Sequence, residues 1–231
     1  MTKFKSTLLT TLLLISIQNQ ACSGDWIQLF DGKSLKDWSS RGGDASYKVE
    51  DGVLVGTTKP NTPNTFLCPK KKFADFELTF DVKCDPALNS GVQIRSIDSA
   101  SSVPEGLTDK EKQKALRRVE SKSLCGPQVE IASNGNAGGV WFEGVGGWLL
   151  QPKPDVAAKA YKKDDWNSYR VVAKGHRIQV WINGQQISDL TDEAKLKSHP
   201  KGFIGLQVHG IGKKAGPFEV CWRNLEIIEL K

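Results

Sequence analysis

The segment Phe76-Glu77-Leu78-Thr79-Phe80-Asp81-Val82-Lys83 alternates apolar and polar side chains without interruption. A period of two matches the pleat of a strand with one face buried and the other in water, and does not suit a helix. Alternation recurs along the chain, punctuated by turn dipeptides: Asp51-Gly52 between Val49 and Val53, then Lys174-Gly175 and Asn183-Gly184. Glycine accepts the positive φ of tight hairpins, and Asn or Asp tolerates it. Half-buried strands joined by hairpins predict an all-β sandwich of antiparallel sheets. The 231 residues suffice for one such domain with a full core, and neither a low-complexity linker nor a fixed-period repeat divides them.

Three strands share a second pattern. In Asn89-Ser90-Gly91-Val92-Gln93-Ile94-Arg95, Val92 and Ile94 fall on one face and Gln93 and Arg95 on the other. Pro127-Gln128-Val129-Glu130-Ile131 sets Gln128 and Glu130 opposite Val129 and Ile131, and Ile204-Gly205-Leu206-Gln207-Val208-His209 sets Gln207 and His209 opposite aliphatic residues. If these strands share a sheet, one face is core. The other is a polar floor holding an acid, a cation and an imidazole, as a carbohydrate site requires. Taken singly, each is equally readable as the solvated outer face of a sandwich.

The amino terminus carries an export pattern. Lys3 and Lys5 precede a short apolar run from Leu8 to Ile17, followed by small residues at Ala21, Cys22, Ser23 and Gly24. The run is too short to span a bilayer as a mature helix, so residues 1–23 read as a signal peptide and 24–231 as the mature domain. Cys22 is either part of the cleavage site or the lipidated first residue of a lipoprotein, which would be the one attachment to a membrane. The expected location is periplasmic or secreted.

The net charge of +6 lies partly in that leader and partly in one local run, with the other basic residues scattered among acids. No nucleic-acid partner is expected from such a surface. Cys68, Cys84, Cys125 and Cys221 remain after Cys22, without zinc-like spacing. In an exported domain they are expected to form at most one or two structural bridges, and none is expected to be a catalytic thiol.

The local basic run lies between the first two Gln-bearing strands. Residues 108–124 read as a helix, with Thr108 as N-cap and Glu111 completing a capping box. Lys110, Lys112, Lys114, Arg117, Arg118 and Lys122 make it basic; it is either a rim element of the polar floor or a surface insertion. Beyond it, glycines bracket Trp141 and Trp148. Each tryptophan either stacks on a sugar ring or plugs the end of the sandwich, and Trp148, between glycines on one side, is the better placed for sugar contact.

The stretches Trp166-Asn167-Ser168-Tyr169 and Ile178-Gln179-Val180-Trp181-Ile182-Asn183-Gly184 resemble the concanavalin-like jelly rolls of glucanases and laminin-type lectin domains. Six motifs sharpen the likeness: Leu29 to Trp38, Phe73 to Lys83, Asn89 to Ser96, Trp166 to Leu190, Gly202 to Gly210 and Trp222 to Ile227. In this order they resemble the 3-keto-disaccharide hydrolase family over essentially the whole mature chain. The resemblance implies a concanavalin-like jelly-roll sandwich acting on sugars oxidised at C3. Two departures stand out: the basic helix is an insertion, and Gln128-Val129-Glu130 stands where many relatives place Glu-x-Gln.

A ketone at C3 acidifies the C2–H, so a base can remove that proton and expel the C1 substituent, with hydration completing a net hydrolysis. One acid, one imidazole and one guanidinium on the floor suit elimination better than the paired carboxylates of ordinary glycosidases. Glu130 or His209 is then expected as general base or acid, and Arg95 as stabiliser of the enolate oxygen. Asn89, Gln93, Gln128 and Gln207 would hold hydroxyls, beside Trp141 and Trp148. Arg95 could equally form a structural ion pair, with Glu130 as the expected partner. The resemblance allows a divalent metal at a Glu/His pair, although no ligand spacing demands one. An oligosaccharide or glycoside substrate and a monomer are expected. The rival is a non-catalytic, lectin-like glycan-binding module.

Overall fold

The computed structural model describes residues 24–100, 103 and 106–231. Residues 1–23, where an export signal was expected and which include Cys22, lie outside the described residues. Among the described residues, fifteen strands and three helices are laid out in chain order. The amino-terminal strands are β1 (Ile27–Gln28), β2 (Trp38–Gly42), β3 (Ser46–Glu50), β4 (Val53–Thr57), β5 (Thr65–Pro69), β6 (Phe76–Cys84) and β7 (Ser90–Ser96). After α1 (Asp109–Glu120) come β8 (Gly126–Ile131), β9 (Val140–Glu143) and β10 (Trp148–Leu150). Then follow α2 (Pro154–Ala160), β11 (Asn167–Lys174), β12 (Arg177–Ile182), β13 (Gln185–Thr191), α3 (Glu193–Leu196), β14 (Phe203–Val208) and β15 (Glu219–Glu229).

These strands form the expected all-β sandwich. One sheet runs β13-β12-β11-β6-β15-β4-β3, with β1 paired to β15, and the other runs β10-β9-β8-β7-β14-β5-β2. Every strand pairing is antiparallel. The hairpin between β3 and β4 turns at Asp51 (φ 48°) and Gly52 (φ 80°), and that between β12 and β13 at Asn183 (φ 50°) and Gly184 (φ 83°). Two successive positive φ values match the twist of the flanking strands.

The alternation of β6 is realised residue by residue: Phe76, Leu78, Phe80, Val82 and Cys84 are buried and the residues between them are half-buried. Phe80 stacks on Tyr169 of β11 at 5.1 Å between centroids. Val92, Ile94, Val129, Ile131, Ile204, Leu206 and Val208 face them from the second sheet in one core. Each such side chain stabilises the fold by roughly 1.5–3 kcal/mol through removal from water. Phe30 clamps the amino-terminal segment at 2% exposure, whereas Trp26 remains in solvent at 45%.

Three expectations need correction. The inserted helix ends at Glu120, short of the predicted 124, because Lys122 turns the chain with φ 58°. Two further short helices, α2 and α3, were not anticipated. Cys68, Cys84, Cys125 and Cys221 are all free, the first three buried. Cys84 and Cys221 sit on adjacent strands β6 and β15, but in register Cys84 opposes Val220 and Cys221 opposes Lys83, so they fall on opposite faces. Burial pushes the Cys68, Cys84 and Cys125 thiols up to about 12, which makes them unreactive small hydrophobes.

Candidate active site

Strands β8, β7 and β14 are consecutive neighbours in one sheet, so the three Gln-bearing segments do share a floor. Gln93 on β7 opposes Gln128 on β8 and Gly205 on β14. Gly91 opposes Glu130. A pocket of about 220 Å³ opens above this floor, lined by Asn89, Gln128, Glu130, Trp141, Glu143, Trp148, Gln207 and His209. Seven of the nine residues singled out in the sequence are in that lining.

A directed set of hydrogen bonds organises the floor. Gln128 Nε2 donates to Glu130 Oε1 at 2.6 Å, and Asn89 Nδ2 donates to Glu130 Oε2 at 3.0 Å. Because an ionised carboxylate only accepts, Gln128 must present its nitrogen to Glu130 and its oxygen to the other side. That oxygen accepts from Gln93 Nε2 at 2.8 Å and from Gln207 Nε2 at 2.9 Å. Ser96 Oγ donates in turn to Gln93 Oε1. Gln93, expected to hold a substrate hydroxyl, instead lies beneath the floor as a support, fully buried, and does not line the pocket. The same logic leaves Gln207 Oε1 buried and without a partner among the described residues. Its side chain is among those that line the pocket.

Burial pushes the Glu130 carboxyl above its ordinary value of 4.5, and the like charge of Glu143 adds to this. The Asn89 and Gln128 donors oppose that rise by favouring the charged form. The result is a carboxylate that is hydrogen-bonded at both oxygens and more basic than one in water.

His209 enters from the end of β14. Its Nδ1 lies 2.8 Å from the carbonyl oxygen of Gly210, which can only accept, so Nδ1 carries the proton and Nε2 of the neutral ring is an acceptor. Gly210 N–H donates to Asn64 Oδ1 at 2.9 Å, and Asn64 Nδ2 donates to Glu143 Oε1 at 3.2 Å. Glu143 also forms an ion pair with Arg118 of α1. Trp141 and Trp148 meet edge-to-face at 5.3 Å and form an aromatic wall.

The connection between β7 and β8 closes one side of the floor. Helix α1 packs through Ala115 and Val119 against Cys125, Phe142 and Val145. Beyond it, Leu124 joins Phe66, Cys68 and Phe203 in a separate apolar cluster over that end of the sheet. Gly205 makes room for it, since a Cβ there would stand 2.7 Å from Leu124 Cδ1. The chain between β7 and β8 therefore covers part of the polar face and leaves the remainder as the pocket.

Two further sequence expectations are corrected here. Arg95 does not reach the floor: Nε donates to Ala74 O at 2.7 Å, Nη1 to Gly175 O at 2.6 Å, and Nη2 pairs with Asp75 at 3.0 Å. The cause is a bulge. Gly205 pairs with Gln93 but Phe203 with Ser96, so β7 carries one extra residue, and Arg95 takes φ 48°. The alternation reverses, and the guanidinium is turned towards the start of β6 and the β11–β12 turn. Its partner is thus Asp75, not Glu130. The second correction is that the pocket holds two carboxylates, since Glu143 lines it as well. Glu143 stands two residues beyond Trp141, in phase with it, and that spacing is visible in the sequence. Asn64 and Arg118 come from a loop and from the insertion, and no local pattern marks them.

The donor set does not fit a metal centre: no group of three or more His, Cys, Asp or Glu side chains is arranged to hold an ion among the described residues. In the pocket, Glu143 is already paired with Arg118, and both Glu130 oxygens accept amide protons.

The chain belongs to the family of 3-keto-alpha-glucoside-1,2-lyase-like domains, whose model matches residues 25–228. Among solved structures it is similar to a Parabacteroides distasonis protein provisionally designated a glycosyl hydrolase. That pair shares 19% identity over 89% of this chain and 94% of the other, at a TM-score of 0.57. A carbohydrate-binding module from Bacillus subtilis aligns at 14% identity over 82% of this chain and 93% of its own, TM-score 0.54. A Bacillus subtilis protein with a galectin-like fold aligns at 16% identity over 90% and 96%, TM-score 0.52. At such identities the likeness establishes the sandwich fold, which catalytic and binding proteins share. No curated protein matches the chain.

Proposed function

We propose that this pocket cleaves the glycosidic bond of 3-keto-glycosides by elimination followed by hydration. Family membership points to the substrate class. The single observation that carries the chemistry is the Glu130 carboxylate, made more basic by burial, lining one small pocket together with the His209 imidazole, whose Nδ1 is engaged by the Gly210 carbonyl.

Glu130 takes the proton from C2, which the C3 ketone has made acidic. The electron pair left on C2 is delocalised onto the ketone oxygen and then expels the C1 substituent, leaving a 1,2-unsaturated ketone. The proton on Glu130 passes to the departing oxygen. His209 Nε2, free to accept, draws a proton from a water that adds at C1, and C2 regains a proton; the sum is hydrolysis. Arg95 has no role in these steps. The second N–H of Asn89 is the donor available to the enolate oxygen, Gln207 Oε1 accepts a substrate hydroxyl, and Trp141 and Trp148 pack against the ring. The reading includes export through residues 1–23 and action as a monomer.

A glycan-binding module is the second reading, favoured by the Trp141–Trp148 wall. The experiment compares a glucoside with its C3-oxidised counterpart, with and without divalent metal. Aglycone release from the keto form alone, lost in Glu130→Gln, is expected. Sugar binding without release from either compound would establish the second reading instead.

A further inference from the structure

We infer that Arg118, carried by the inserted helix, is a positioning residue for His209, acting through Glu143, Asn64 and Gly210. This rests on the reading of His209 as a working group of the pocket.

The path has no ambiguous link. Arg118 Nη2 pairs with Glu143 Oε1, and Asn64 Nδ2 donates to that same oxygen at 3.2 Å. Asn64 cannot be turned over, because a carboxylate only accepts and the Gly210 N–H only donates; Oδ1 must face Gly210, as it does at 2.9 Å. Holding the Gly210 N–H fixes the peptide plane that joins His209 to Gly210, next to the carbonyl that receives the His209 Nδ1–H at 2.8 Å. That bond selects the tautomer with a bare Nε2.

Glycines on both sides make the path sterically feasible. A Cβ at position 144 would stand 2.9 Å from Arg118 Cγ and 3.0 Å from Cys125 Sγ, and Gly144 has φ +84°. A Cβ at position 210 would meet Thr62 O at 2.6 Å. Arg118 is further seated by its Nε donating to Leu124 O at 3.3 Å and by the Phe66 ring at 5.7 Å. A second tie, Lys114 Nζ to Val145 O at 3.1 Å, holds the helix to the β9–β10 turn. The helix thereby does more than cover apolar surface: its arginine reaching Glu143 fixes the geometry of an imidazole that directly follows β14, a strand four positions along the sheet from β10.

The test is imidazole nitrogen NMR on the full mature chain, which needs no substrate and so is independent of the reaction proposed above. Wild type should show His209 as a single tautomer with Nδ1 protonated. Arg118→Ala should give averaged nitrogen shifts for His209 with the His176 signals unmoved, and Arg118→Lys should restore part of the preference. Glu143→Gln, which keeps the shape of the side chain, provides a second variant should Arg118→Ala fail to fold. On a 3-keto-glucoside, Arg118→Ala should lower kcat on the order of tenfold with KM little changed. An unchanged His209 tautomer in both folded variants overturns the inference, whatever the enzyme proves to turn over. A normal tautomer shift without turnover in wild type would instead count against the proposed reaction alone.

Discussion

Gly91 lies directly beneath Gln128: a Cβ at position 91 would stand 2.7 Å from Gln128 Cγ and Cδ and 2.8 Å from Nε2. The bare backbone of β7 is what lets the Gln128 amide lie across the central strand, giving to Glu130 on one side and accepting from Gln207 on the other. Gly91→Ala should therefore lift Gln128 off the floor. We expect a loss of about 1–3 kcal/mol in stability from overpacking, read by urea denaturation. Turnover at a temperature where the variant is fully folded should also fall, because Glu130 loses a donor.

Glu130 should leave a mark on stability as well as on rate. Its folded pKa is raised above 4.5, chiefly by burial, so the native state holds its proton more tightly than the unfolded chain does. That favourable term is fully present below 4.5 and is lost as pH rises through the folded value. Urea midpoints of wild type relative to Glu130→Gln should accordingly decline over this interval. As the base, ionised Glu130 should give a rate that rises with pH over the same interval, and Glu130→Gln should lower it by about 10²–10⁴-fold.

Arg95 offers a direct separation of a structural from a catalytic role. It is buried and satisfies two backbone carbonyls and Asp75 at once, between the sheets. Removing it in Arg95→Met should cost about 3 kcal/mol, since those partners are left without their donor. Sugar affinity of the folded fraction, measured calorimetrically, should stay near wild type. Normal stability with abolished turnover would contradict the placement.

His199 should control acid stability. It is fully buried, its Nδ1–H donates to Arg95 O at 3.2 Å, and its Nε2 has no partner among the described residues. Burial pushes its pKa down from 6.5 to about 4. The unfolded chain therefore takes up a proton before the native state can. Stability is retained above 6.5 and lost as pH falls through about 4, by an amount on the order of 3 kcal/mol. His199→Leu should flatten this part of the acid denaturation curve.

Much of this architecture was legible in the residues. Period-two alternation located β6, β7, β8 and β14, and the Gln-x-ionisable pattern placed Gln128, Glu130, Gln207 and His209 above one floor. The capping box at Thr108 and Glu111 located the start of α1. Counting by twos failed at Arg95, because it presumes an unbroken ladder and a bulge costs the sequence no distinctive residue. It also stopped short at β9, where Trp141 drew attention and Glu143 in the same phase did not. Asn64 and Arg118 were beyond reach for another reason: their partners are 79 and 25 residues away. Only the folded path of the chain brings them together.

The order of strands in the second sheet bears on how the protein acquires its pocket. Strand β7 pairs first with β8 nearby in the chain, but its other neighbour, β14, arrives from more than a hundred residues further on, as the Ser90 to Gln207 bond with its separation of 117 shows. Gln207 rides on that late strand and His209 directly follows its last residue. Closing so long a loop is entropically slow and is rewarded only once the strand is seated. A nascent or truncated chain that ends before residue 203 would hold Glu130 and both tryptophans yet have half a floor. Competence of the site should thus appear late in folding and all at once, with the insertion of its last central strand.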